Sequence, residues 1–387
     1  MKLLVILLSI LLCLSKPSNE IVLSNKFNIQ KQLFSNNAKY VIKEAINLRD
    51  KTIKIPEGST LIFKGGSLSH GTIVGNMTKL SYKGSIFKDV IIRGSWNVPY
   101  IFSSIFFEAT KNDVLKQVFA LAHKNIRNTI LVQQGDYHVS AQANTKGALY
   151  VPSNTTVEVD GIITLVANDF PGCAVMYIKN ANNIIIKGTG KIVGDNDTHK
   201  GTQGEWGMGI QIMHGRNIDI HNLDISNCWG DCVYVGDNSY NVVISNCMLH
   251  HARRQGISIT YAKKVTINKC IIHDIGGTAP EYAIDFEPNA NCSVHNVTVS
   301  DTDIFNCKGG IIAGIKGVTA KNASVGDIVI KKCHVYSLRT DNTFRWHNCS
   351  NVQVADCTVD KPLFNCTFSV DAKNVRYRNI KVKLATK

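Results

Sequence analysis

Proline is scarce in this chain of 387 residues, eight in all, and its 29 glycines follow no short period. That excludes a collagen-like repeat and a proline-rich linker protein. Cysteine pairs spaced as CxxC are absent, which removes the usual framework of a structural zinc site. Long apolar runs are also missing. The longest, Leu3 to Leu14, falls short of the roughly 18 residues that span a bilayer, so no membrane span is expected. Acidic residues are few: 29 Asp and Glu face 43 Lys and Arg, a formal charge of +14. An imbalance of that sign points to a polyanionic partner. With 44% hydrophobic and 19% charged residues the chain has the composition of a folded protein with a large core, and disorder is excluded.

The amino terminus places Lys2 before the apolar run and Ser15, Lys16 and Pro17 after it, the pattern of a secretory signal peptide over 1–16. Export to the periplasm, cell surface or medium is the expectation. Lipidation at Cys13 is disfavoured by the bulky Leu12 before it. Outside the cytoplasm, and without an ordered series of basic and aromatic positions, nucleic acid is set aside as a partner. An acidic polysaccharide remains. Oligomeric state is not legible.

A repeat organises the rest. NVVISNC (241–247), KVTINKC (264–270), DIVIKKC (327–333) and NVQVADC (351–357) put four cysteines at one position. NIDIHNL (217–223), NVTVSDT (296–302) and NVRYRNI (374–380) fill that position with Leu, Thr and Ile. Neighbouring copies are 23 or 24 residues apart, and two are stretched to about 31. The column therefore reads as interior, and its cysteines as buried free thiols, because stacked parallel neighbours rarely reach disulfide torsions. Each copy pairs an alternating β-branched strand with an Asn- or Gly-rich corner and a second strand such as CVYVG, GISIT, AIDFE or GIIAG. A coil of that length cannot bury its inner face alone, so the coils must stack. The fold class is all-β, a right-handed parallel β-helix over 101–387. The region 17–100 is expected as a β cap, and the segment from Ser103 to Asn128 as an amphipathic capping helix with Val114, Val118, Phe119, Leu121 and Ala122 on its apolar stripe. Asn-x-Ser/Thr triplets, as at Asn154 and Asn296, follow from Asn-rich turns.

The register also locates candidate chemistry. Val233, Ile257, Ile284 and Ile311 face inward, so Tyr234, Ser258, Asp285 and Ile312 face outward, with Glu287 two residues beyond Asp285, about 7 Å along the strand. Asp231, Arg253, Arg254, Gln255 and Glu281 lie at or near the preceding corner. His250 and His273 are equivalent in adjacent coils, with His251 beside the first. Trp229 and Tyr234 suggest a sugar-binding cleft, and His199, Glu205 and Trp206 lie in an insertion that can overhang it. Each has a structural rival: ion pairing for the carboxylates, simple stacking for the histidines, corner capping for Asp231.

The stretches GALYVPSNTTVEVDGIITLVANDF and NNIIIKGTGKIVGDNDTHKGTQGEWGMGI, with WGDCVYVG, HHARRQGISI and HDIGGTAPEYAIDFEPN, resemble the pectin-lyase-like superfamily of β-helix proteins, among them polysaccharide-directed proteins of gut Bacteroidetes and phage tailspikes. The resemblance covers about Phe102 to Lys387 and speaks for fold more than reaction. It implies a polysaccharide lyase that removes the C5 proton of a uronate, in a pectin or glycosaminoglycan chain. Arg254 or Arg253 would serve as base or neutralising cation, and His250 or His251 as base or acid. Asp231, Asp285 and Glu287 are the candidate oxygen ligands of a Ca²⁺ ion, and no organic cofactor is expected. Tyr234, Trp229, Gln255, Glu281, His273, His199, Glu205 and Trp206 would line the substrate. Second stands a glycoside hydrolase using Asp285 with Glu287 or Asp231, although GDC replaces the paired aspartates of polygalacturonases and their Gly-His-Gly and Arg-Ile-Lys motifs are missing. Third is a glycan-binding module without catalysis.

Overall fold

The computed structural model describes residues 20–107, 113–142, 146–314, 322–339, 342–360 and 372–383. The expected signal peptide and Cys13 lie outside the described residues.

Coils of parallel strands stack into three sheets of eleven, ten and eight strands, each strand bonded to its equivalent in the next coil. This is a right-handed parallel β-helix. Its interior is built from in-register columns. Ile184, Ile218, Val242, Val265, Val297, Ile328 and Val352 follow one another through the eleven-stranded sheet, all buried. Burial of each such side chain contributes roughly 1.5–3 kcal/mol. The cysteine column is buried as expected, with Cys247, Cys270, Cys333 and Cys357 free.

Asn turns open these strands. Asn217, Asn241, Asn296, Asn351 and Asn374 all have φ near +55°, a conformation Asn tolerates better than most residues. Their amides form ladders: Asn241 Nδ2 donates to Asn217 Oδ1 at 3.0 Å, and Asn217 Nδ2 to Asn183 Oδ1 at 3.1 Å. The repeat legible from Asn217 onward in fact begins earlier, through strands Asn182–Lys187, Thr155–Val159, Asn128–Val132 and Tyr100–Phe102. Those coils are longer and unequal. Ladder neighbours Asn154 and Asn183 are 29 residues apart, and Asn183 and Asn217 are 34 apart, so no constant period marks them.

The N-terminal region forms seven further strands, paired in parallel, of which Ser67–Ser81 is the longest. The expected long helix is a single α-helix, Val114–Phe119, with a 3₁₀ turn at Ser103–Ile105. Leu115, Val118 and Phe119 are its buried residues, and it packs against strands Phe87–Trp96, Asp136–Val139 and Gly147–Tyr150. It thus covers the join between the N-terminal sheets and the first coils. Among the described residues no helix is long and apolar enough to cross a membrane.

Candidate functional site

The eight-stranded sheet carries the acidic cluster. Its strands Asp231–Gly236, Gln255–Ile259, Tyr282–Phe286 and Gly309–Gly314 are successive neighbours, and Tyr234, Ser258, Asp285 and Ile312 form one outward column, as the register predicts. Alternation is broken once in each coil. Cys232 and Val233 both join the core, as do Ala283 and Ile284. Two consecutive inward residues bring Asp231 out on the face that carries Tyr234.

Arg254 stands at the centre of this face. Its Nη1 lies 3.4 Å from Asp231 Oδ2, its Nε 3.5 Å from Glu205 Oε1 and its Nη2 3.8 Å from Glu287 Oε2. Beside it, Gln255 Nε2 donates to Asp285 Oδ2, and Ser258 Oγ donates to Gln255 Oε1 at 2.7 Å. Arg254, Asp285, Glu287 and His347 line a pocket of about 250 Å³, closed on other sides by Ala279, Pro280, Ile312 and Gly314. Asp231 is fully buried behind Arg254 and does not reach that pocket.

Burial pushes the Asp285 carboxyl well above the usual carboxylate range, with the Glu287 charge adding to the effect and Arg254 opposing it. Burial likewise raises Asp231 to about 6, against the pull of Arg254. Arg254 loses hydration, but its acidic neighbours outweigh that loss and hold it more firmly protonated. The face therefore pairs a carboxyl that favours its neutral form with a half-exposed carboxylate, Glu287, two residues away on the same strand end.

The insertion that carries Glu205 and Trp206 is tied down at several points. Asp195 Oδ2 accepts from the Asn168 amide side chain at 2.8 Å and pairs with His199 Nδ1 at 2.8 Å. The His199 ring stacks on Trp229, centroids 4.0 Å apart, and the Arg253 guanidinium sits 3.6 Å from the Trp229 ring centre. Arg253 Nη1 also donates to the Gly204 carbonyl at 3.1 Å. His199, Trp229 and Arg253 thus act on one another and on the loop, and none of them lines the acidic pocket. Glu281 is drawn to Lys308 at 2.7 Å, and that bond holds its carboxyl below the usual range.

The histidines belong elsewhere. His250 and His273 are paired residues of the ten-stranded sheet, stacked at 4.8 Å, and the stack continues through Phe305 and Tyr336. His250 Nε2 bonds Asp224 at 2.9 Å and its Nδ1 meets His251 Nδ1 at 2.7 Å. Among the described residues no hydrogen bond or ion pair joins these three histidines to Arg254. The chain turns between Ala252 and Arg254 from one sheet to another, so nearness in sequence does not place His250 or His251 at the acidic pocket.

The oxygens expected to hold Ca²⁺ surround the Arg254 guanidinium instead. Asp231 faces Arg254, Asp285 accepts from Gln255, and among the described residues no group of three or more His, Cys, Asp or Glu side chains is arranged to hold a metal. The residue set does not fit the ion.

Sequence reasoning missed His347, Asp195 and the outward residues of earlier coils, Tyr177 and Gln211. Register extends the Tyr234–Asp285 column to them, since Tyr177 pairs with Gln211 and Gln211 with Tyr234. Only the unequal coil lengths hid it.

The family described as a right handed beta helix region matches residues 156–325. Two proteins of Bacillus subtilis strain 168 are similar in sequence: the uncharacterized protein YclG, 29% identical over 201 residues, covering 45% of this chain and 34% of that protein; and the SPbeta prophage-derived uncharacterized protein YorA, 26% identical over 287 residues, covering 65% and 48%. The matched stretches thus span at most about half of either relative. Among solved structures, an endo-xylogalacturonan hydrolase from Aspergillus tubingensis superposes with a TM-score of 0.50 at 14% identity, covering 74% of this chain and 93% of that one. A likeness at that identity speaks for the fold.

Proposed function

From a chain folded as a right-handed parallel β-helix of the pectin-lyase-like superfamily, we propose that it is an exported enzyme that hydrolyses a glycosidic bond in a polysaccharide. The observation that carries this reading is the pair Asp285 and Glu287. One carboxyl is buried and pushed well above its ordinary range, the other is half exposed, and both line one pocket. Two residues along a strand is about 7 Å, within the roughly 6.5–9.5 Å that inverting hydrolases leave between acid and base.

In this mechanism Asp285 in its neutral form donates its proton to the leaving glycosidic oxygen. Glu287 accepts a proton from a water that attacks the anomeric carbon from the opposite face. The C–O bond to the leaving sugar breaks as the C–O bond to water forms, and the two carboxyls exchange protonation states before solvent resets them. Gln255 and Ser258 orient Asp285. Arg254 orients Glu287 and stays protonated throughout.

Elimination on a uronate is the second reading, favoured by the presence of Arg254 in the pocket wall. It needs a free cation for the substrate carboxylate, whereas Arg254 already faces Asp231, Glu205 and Glu287. The deciding experiment incubates the protein with pectic, alginate and glycosaminoglycan chains and follows new reducing ends together with the ultraviolet absorbance of unsaturated uronates. Reducing ends without absorbance support hydrolysis. Both rising together overturns it in favour of elimination, and silence on both across the panel speaks for a glycan-binding module.

A further inference from the structure

A second pocket of about 740 Å³ lies on the same face as the acidic cluster, toward earlier coils. Trp206, Tyr177, Tyr234 and Met213 form its apolar lining, and Gln211 and Lys146 contribute polar groups. Tyr177, Met208 and Ala174 make a small hydrophobic cluster of their own, with Met213 and Tyr234 packed on it, separate from the core inside the solenoid. An outward apolar cluster is unusual on a sheet face that meets water. Here it forms the floor of a concave site.

Each wall has a cause. Tyr234 lies flat enough over Gly236 that a Cβ there would come within 2.8 Å of its ring, and its hydroxyl is fixed to Thr260 Oγ1 at 2.7 Å. Tyr177 is braced edge-on by Tyr150 at 5.4 Å. Trp206 leaves 55% of its surface open and is seated against Gly172, where a Cβ would come within 2.6 Å of it. Its backbone N–H donates to Pro171 O at 3.1 Å. Gln211 points outward from the strand Ile210–Met213 between Tyr177 and Tyr234, and among the described residues its amide has no hydrogen-bond partner. The pocket is thus rigid, mostly apolar, and offers one unengaged amide that both donates and accepts.

We propose that this pocket binds an N-acetylated hexosamine unit of the polymer, three coils from the bond that is cut. The proposal rests on the reading of the acidic pocket as a hydrolytic site and names its substrate class. The C–H face of a pyranose ring stacks on the open side of Trp206. The acetamido methyl enters between Met213 and the two tyrosines, and its amide exchanges hydrogen bonds with Gln211. A uronate at this position would bring an ionised carboxylate against the same apolar floor, which costs more than Lys146 at the rim returns. Gln211 and Asp285 share one outward column, three strand spacings or about 14 Å apart. The two pockets therefore serve different units of one oligosaccharide.

The test uses the full chain carrying Asp285→Asn, so that bound sugars are not consumed. Titration calorimetry compares N,N′-diacetylchitobiose with cellobiose, N-acetylgalactosamine with galactose, and an O-acetylated hexose with its parent, alongside the change in tryptophan fluorescence. The expected result is binding of the acetamido sugars only, weakened about tenfold or more by Trp206→Ala and by Gln211→Ala. Equal binding of acetamido and plain sugars, equal binding of the O-acetylated hexose, no binding of any, or affinity untouched by both substitutions overturns the proposal. Failure of the hydrolytic reading is separate. It shows as acetamido-sugar binding in a wild-type protein that releases no reducing ends from any chain.

Discussion

Arg254 Nη1 lies 3.4 Å from Oδ2 of Asp231, a carboxylate with no exposed surface whose other oxygen has no hydrogen-bond partner. The pair binds two neighbouring strands of the eight-stranded sheet and fixes the guanidinium where it meets Glu205 and Glu287. Removing the cation alone strands a buried charge. Arg254→Met is expected to cost about 3 kcal/mol in urea unfolding, and the double variant with Asp231→Asn to recover most of it. Equal stability of the single and double variants would deny the coupling.

Asp285→Asn keeps the shape of the side chain and removes the proton donor. Turnover on the polysaccharide should fall by about 10² to 10⁴, with affinity for the uncut chain retained. Glu287→Gln should show the same separation. Steady-state kinetics with a direct binding titration decide it, and unchanged kcat in either variant removes that residue from the chemistry.

Asp231 carries a pH signature. Its carboxyl rises from 3.8 to about 6 on folding, so the folded state binds the extra proton over that interval. The associated stability is complete below about pH 3.8 and is lost as pH rises to about 6, up to about 3 kcal/mol. Thermal melts of the wild type and Asp231→Asn across pH 4 to 7 should show the wild type losing ground to the variant up to pH 6 and then running parallel. For the raised Asp285 the same sign holds for activity, which should decline on the alkaline side as its proton is lost.

Because Arg254 fills the space among the acidic side chains, turnover should be unchanged by a chelator and by added Ca²⁺. Activity that a chelator abolishes and calcium restores would show that the cluster rearranges around an ion.

The His250–His273–Phe305–Tyr336 stack lies on a different sheet from the acidic pocket. His273→Ala is expected to lower stability by about 1 kcal/mol and to leave kcat within a factor of two. A selective loss of kcat at unchanged melting temperature would bring the stack into the mechanism.

Much of this arrangement is legible in the sequence where the coils keep a constant length. The column Tyr234, Ser258, Asp285 and Ile312, and the buried cysteines behind it, follow from period-2 alternation laid on a repeat of 23 or 24 residues. Asp231 defeats strict alternation because Cys232 and Val233 both turn inward. Tyr177 and Gln211 sit in coils of unequal length, where no period aligns them with Tyr234. The histidines mislead for the opposite reason. His251 and Arg254 are neighbours in sequence, and the corner between them sends each to a separate face.

The doubled inward position at Cys232 and Val233, repeated at Ala283 and Ile284, makes each coil an interchangeable unit with the same outward face. Inserting or deleting one whole coil between Gln211 and Asp285 would leave both pockets intact and slide them by one strand spacing, about 4.8 Å. In such a solenoid the distance between recognition and scission is set by counting coils, so chains with identical pockets could cut the same polymer at different offsets from the sugar they hold.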